Sequence, residues 1–188
     1  MKRAILFLFT IAIAAMTGAP TLAATGFPDE PVTFEKRGLS GPRFGMTYVT
    51  GHGALYADLE REGMGRVLSQ FGWHFEHQVI PQGGGPQFVV EFVPMIAGVE
   101  YGKFIPSGTL AMGVRLPSGV EFGLGPNLML TKSELEQTEI NTALVMAVGK
   151  SFDYGGVSVP INLTYATNPD GNRVSLIIGY AVAKVAGD

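Results

Sequence analysis

Past residue 23 the chain keeps a two-residue rhythm in nearly every segment: a large apolar residue, then Gly, Ala, Ser, Thr, Asn or a charge. The clearest run sets Val157, Val159, Ile161, Leu163 and Tyr165 on one face against Ser158, Pro160, Asn162, Thr164 and Ala166 on the other. Successive side chains of a β-strand point to opposite faces, so this rhythm builds a sheet with one apolar side and one small, polar side. Closed on itself with the apolar side outward, such a sheet satisfies its own backbone and presents hydrocarbon to lipid. The expected fold class is therefore all-β, a closed antiparallel up-and-down transmembrane β-barrel of eight strands.

The chain opens Met1-Lys2-Arg3, runs through an apolar stretch from Ala4 to Met16 and reaches small residues at Thr21-Leu22-Ala23-Ala24. A charged start, a short apolar core and a small-residue exit read as a secretory signal peptide over 1–23. The apolar run is too short for a membrane-spanning helix, and Gly18, Ala19 and Pro20 break it. Removing it takes away Lys2 and Arg3 and moves the formal charge from −3 to −5. That balance argues against a nucleic-acid partner, which needs a basic face. With no cysteine in the chain, stability rests on burial and backbone pairing, and no lipid-bearing Cys follows the leader. Residues 24–41 are rich in proline and charge and read as a periplasmic tether; 42–184 read as the barrel and 185–188 as a tail.

Eight strands can be drawn by the alternation: Arg43–Thr50, Gln70–Ile80, Phe88–Val99, Leu110–Leu116, Val120–Leu130, Ala143–Phe152, Val157–Thr167 and Arg173–Ala183. The connections alternate in character. Gly51–Ser69, Glu100–Thr109 and Thr131–Thr142 are long, whereas Pro81–Pro86, Pro117-Ser118-Gly119 and Asp153–Gly156 are tight, and Asn168–Asn172 is a moderate polar turn. Outer-membrane barrels sort their loops this way, with short periplasmic turns and longer outside loops. Pro94, Pro126 and Pro160 fall within strands, where each removes a ladder hydrogen bond, so bulges are expected around them.

In this pattern, over about Gly41 to Lys184, the chain resembles the small eight-stranded outer-membrane barrels of Gram-negative bacteria, such as the OmpX family and the transmembrane domain of OmpA. The phrases Gln70-Phe71-Gly72-Trp73 and Glu121-Phe122-Gly123-Leu124-Gly125-Pro126-Asn127 also resemble segments of small bacterial envelope proteins, a likeness that carries no activity. The resemblance implies a place in the bacterial outer membrane, with lipids and the barrel-assembly machinery as partners. Such barrels usually end on an aromatic residue read by that machinery, whereas this sequence ends Lys184-Val185-Ala186-Gly187-Asp188.

On the apolar face, aromatic residues gather towards strand ends. Phe44, Phe88, Phe122, Phe152 and Tyr180 are expected on the periplasmic side, and Tyr48, Phe71, Trp73 and Tyr165 on the outer side. Amphipathic rings favour the membrane–water boundary, so these read as two girdles, against the plainer reading of ordinary β-propensity. Lys150 is the cation of that face in the sixth strand, close enough to an end to snorkel. The opposite face carries Arg43, Glu76, Glu91, Arg115 and Glu121 beside His74, Gln78, Asn127 and Asn162. An eight-stranded interior is just wide enough to be filled by side chains, so these charges are expected to pair as a lumen network rather than line a wide pore.

Gly53–Leu68 is helix-like, interrupted by Gly63 and Gly65, and is expected to pack on the barrel rim; residues 51–69 could also meet a surface partner. The expected role is structural or surface-interacting, without cofactor or metal. Two alternatives stay open. A soluble periplasmic lipocalin-like barrel would turn the apolar face inward around a greasy ligand. A narrow channel or a lipid-modifying enzyme would use the lumen charges or His52, His74 and His77, but no spacing among these sets up a nucleophile and its base, and no metal-ligand spacing appears.

Overall fold

The computed structural model describes residues 34–81, 85–132, 138–154 and 157–185. The expected signal peptide, the first part of the tether and residues 186–188 lie outside the described residues. Antiparallel strands dominate: β1 (Phe34–Thr50), β2 (Val67–Pro81), β3 (Gln87–Ala97), β4 (Ile105–Arg115), β5 (Val120–Lys132), β6 (Thr138–Tyr154), β7 (Val157–Thr167), β8 (Asn172–Gly179) and β9 (Ala181–Val185). A helix, α1 (Ala54–Arg61), lies between β1 and β2, and a 3-10 turn over Val99–Tyr101 precedes β4. From β1 to β8 each strand pairs with the next in sequence, β9 pairs with β7, and β1 pairs with β2 on one side and with β8 and β9 on the other, so the sheet closes.

β8 and β9 are one stave of the barrel. Arg43 pairs with Gly179 and Ser40 with Val182, the same register on either side of Tyr180. That register sets Pro42 of β1 opposite Tyr180, and on β7 the ladder skips Val159 and Pro160 between Ser158↔Ala181 and Ile161↔Ile178. Prolines on both flanks withhold ladder donors, which interrupts the strand at Tyr180, while the Tyr180 N–H still donates to the Pro42 carbonyl at 3.2 Å. The barrel thus has the eight staves expected.

One row of paired residues fixes the geometry. It runs from Val79 through Phe88, Val114, Phe122, Val148, Leu163, Leu176 and Met46, and returns to β2 at Ser69, ten residues from its start. A stagger of ten over eight strands tilts them by roughly 40° and leaves an interior that side chains fill.

The alternation sorts cleanly by face. Phe44 is 62% exposed, Met112 60% and Leu128 52%, whereas Gln78 is 1% exposed and Arg115 7%. The large apolar residues therefore point out and the polar ones in, which overturns the lipocalin-like alternative. A soluble barrel could not leave so wide a belt of Phe, Leu and Met in water.

Three features differ from the sequence expectation. β1 begins at Phe34 and pairs with β2 from there, so the part of the supposed tether from residue 34 to 41 is strand, and Val185 belongs to β9. Ile105–Thr109 and Thr138–Thr142, read as loop, extend β4 and β6, so only the first connection stays long. The in-strand prolines need no bulge. Gly72↔Met95 and Phe75↔Phe92 flank Pro94 in one register, as Thr109↔Asn127 and Met112↔Leu124 flank Pro126; each proline loses rungs on one side and keeps the count.

Candidate functional site

The polar face meets itself across the lumen, and at the end with the short turns it forms a charge cluster. Arg115 of β4 donates through Nη1 and Nη2 to the two carboxylate oxygens of Glu76 on β2, at 2.6 and 2.8 Å. Its Nε and Nη2 also donate to Glu121 Oε2 on β5, at 2.8 and 2.6 Å. Gln78 Nε2 donates to Glu76 as well. All four side chains are buried. A guanidinium held in a fork by two carboxylates is the arrangement that lets charges persist in such a place, because removing either sign strands the other.

Arg43 lies apart from that cluster. Its Nη2 donates to His74 Nδ1 at 2.7 Å and its Nη1 to the carbonyls of Pro42 and Tyr180 at 3.2 and 3.5 Å. A Cβ on Gly179 would stand 2.3 Å from Arg43 Nη1, so the glycine makes room for the guanidinium. Arg43 therefore pairs with an imidazole and with backbone, not with the carboxylates expected from sequence. The reason is register: Glu76 and Glu91 stand directly opposite one another on β2 and β3, Arg115 reaches Glu76, and His74 stands between Arg43 and Glu91.

A guanidinium can only donate, so His74 Nδ1 accepts and the neutral ring carries its proton on Nε2. That nitrogen lies 3.5 Å from Glu76 and 3.6 Å from Glu91. Ligand atoms of His74, Glu76 and Glu91 fall within 4.8 Å of one another, a grouping wide enough in principle for a metal ion. The donor set does not suit one. Nε2 would have to lose its proton while Nδ1 accepts from Arg43, and Glu76 is already shared by Arg115 and Gln78. Linear spacing gave no hint of this grouping because it spans two strands.

Towards the other end, Arg173 of β8 crosses the lumen to β5, where Nη2 donates to Asn127 Oδ1 at 2.9 Å and Nη1 meets the Met129 sulfur. Thr47 and Ser175 share a hydrogen bond of 2.7 Å beside it. Sequence reasoning passed over Arg173, although it shares the face of Ser175 and Gly179 and parity alone could have found it. A cavity of about 110 Å³ lies between the two polar groups, lined among others by Arg43, His74, Glu91, Asn127, Asn162 and Arg173. That is room for several waters.

Above Arg173 an apolar cluster packs at the strand ends. Leu55 and Leu59 of α1 and Met64 bury themselves against Val49, Leu68, Ala97, Ile105 and Met129, the inward residues of the strand ends. α1 has no side-chain N-cap. It is held instead by the Leu55 N–H donating to the Asp170 carbonyl at 2.9 Å, by Arg66 lying 3.5 Å over the Tyr56 ring and by a Lys103–Glu62 ion pair. Helix-like residues in the first connection thus pack at the barrel rim, as expected, and form a cap on its mouth.

The aromatic residues named for the girdles all lie on the outward face. Phe88, Phe122 and Phe152 stand within three residues of strand ends at the turn side, and Tyr48 and Tyr165 stand two residues from strand ends at the capped side. Phe44, Phe71 and Trp73 do not fit the expected sorting. Phe44 pairs directly with Phe71 and Trp73 with Pro42, so all three lie mid-wall, because β1 starts ten residues before Phe44. Lys150 is outward, 5.4 Å from the Phe152 ring. His77 points outward, and His52 lies in the first loop against Arg66 at 3.1 Å.

No protein-family model matches the chain, and no curated protein does so in sequence. Solved structures do match. The attachment invasion locus protein Ail of Yersinia pestis, in complex with the heparin analogue sucrose octasulfate, is 14% identical with a TM-score of 0.53, covering 80% of this chain and 99% of that one. The fold is that of the small eight-stranded outer-membrane β-barrels. A second structure of Ail matches at 12% identity over the same shares with a TM-score of 0.53. Neisserial surface protein A is 11% identical over 81% of this chain and 99% of that one, with a TM-score of 0.47.

Proposed function

We propose that this chain is a closed, non-conducting barrel of the outer membrane that acts at the cell surface through its capped end. The observation that carries the reading is the double seal of the lumen: an apolar plug under α1 and the Glu76–Arg115–Glu121 cluster towards the short turns. An ion path would need both to open. The capped end bears the longest connection and is assigned to the outside, since short turns face the periplasm in this fold.

The surface it offers is acidic. Among the described residues of that end, Asp58, Glu60, Glu62, Glu100, Glu139 and Asp170 stand against Arg61, Arg66, Lys103 and Lys132. A polyanion such as the sulfated sugar in the Ail complex meets repulsion here, so the fitting partner is basic or neutral. Reconstitution of the folded protein into planar bilayers tests the seal. The expected result is no steady conductance in the wild type and none after α1 is replaced by a flexible Gly/Ser segment, because the charge cluster still closes the bore. A stable conductance in the wild type makes this a channel.

A further inference from the structure

The described lumen holds three arginines and three glutamates, Arg43, Arg115 and Arg173 with Glu76, Glu91 and Glu121, balanced in number but not in place. Arg115 takes two of the carboxylates, and the third stands beside His74. Arg173 is 7% exposed. Its contacts are one amide oxygen and one thioether, and among the described residues no carboxylate lies within ion-pair distance of it. Directly above it sits the apolar plug, of which its neighbours Val49 and Met129 are members. A guanidinium has five N–H donors, and a buried cation without a counter-charge is among the costliest groups a fold can carry. Yet Arg173 lines a cavity of about 110 Å³ whose wall is mostly apolar and carries hydroxyls from Thr47, Thr164 and Ser175, with the Glu91 carboxylate elsewhere on it.

We infer that this cavity is a structural anion site, in which Arg173 holds a small monovalent inorganic anion of chloride size. The anion supplies the charge the side chains omit, and the hydroxyls complete its shell. Binding of this kind couples to folding, because the unfolded chain has no such pocket, so stability rises with anion concentration by mass action. The inference stands apart from the surface role and from the question of conductance.

Two measurements on the full barrel folded in detergent test it. Thermal unfolding is followed in sodium chloride and in sodium gluconate at matched ionic strength, for wild type and Arg173→Met. The expected result is a higher Tm in chloride for the wild type, increasing with each tenfold rise in chloride, and no difference between the salts for Arg173→Met. The same Tm in both salts for the wild type, or a chloride effect that survives in Arg173→Met, overturns the proposal. Crystals of the wild type grown in bromide give the second readout, which stands even if the variant fails to fold. An anomalous peak in the lumen against the Arg173 guanidinium supports the site, and its absence at full bromide exchange refutes it.

Discussion

Within the lumen the carboxylates differ in what they hold. Glu76 meets Arg115 through both oxygens and has no solvent-exposed side-chain surface, whereas the Glu91 side chain is 20% exposed and faces Nε2 of the neutral His74 ring at 3.6 Å. Arg115→Met should therefore cost about 3–5 kcal/mol, because it leaves Glu76 and Glu121 buried without a cation. Glu91→Gln should cost about 1 kcal/mol or less. Equilibrium unfolding of the refolded barrel in urea reads both, and equal losses would dissolve the distinction. Parity placed Arg43, Glu76, Glu91, Arg115 and Glu121 on one face, since alternation is a local property. It could not say who pairs with whom, because partners come from register between strands. Arg43 on His74 instead of a carboxylate is the result, and Arg173 shows the complementary failure, a charge at the head of a run that was counted as its boundary.

Among the elements, α1 and the 3-10 turn are the parts sequence left least determined, because short amphipathic pieces take their structure from what they pack on. α1 has eight residues and no N-cap side chain, so its order depends on Leu55 and Leu59. Leu59→Ala should cost the cap about 2–5 kcal/mol, read as faster amide exchange over Ala54–Arg61 with the strand amides of β3 to β6 unchanged. If the strands loosen equally, the cap is integral to the wall. The 3-10 turn is latched to β2 by Glu100, whose carboxylate accepts from the Ser69 N–H at 2.6 Å and from the Ser69 hydroxyl. Partial burial pushes the Glu100 carboxyl up, but the Ser69 hydrogen bonds outweigh it and leave it below the ordinary glutamate range. A carboxyl depressed in the folded state stabilises fully above its unfolded pKa and loses that contribution as pH falls through the depressed value. Exchange at the Ser69 amide should thus be slow, after correction for intrinsic rate, at neutral and mildly acid pH, and should rise only below the ordinary glutamate range. A rise already near neutrality would point to a different latch. Strand lengths were misread for a related reason: β1, β4 and β6 run past their alternating cores, and only pairing partners reveal that.

At the scale of the whole molecule, one claim supports the rest: the apolar face is outside and the closed sheet spans a membrane. The two-residue rhythm carried most of this, since it fixed the class and the number of staves, but alternation is symmetric between faces and could not choose the outward one. The choice comes from closure, which puts Phe44, Met112 and Leu128 in the surroundings and Gln78 and Arg115 in the bore. No helix of the described residues is long and apolar enough to cross a membrane; the outward apolar face belongs to the strands. Cell fractionation followed by gel electrophoresis with and without boiling tests this most directly. The protein should require detergent to leave the outer-membrane fraction and should migrate faster unboiled than boiled, as a barrel that stays folded in the gel. Recovery in the soluble periplasmic fraction without detergent, with one mobility in both lanes, would contradict it.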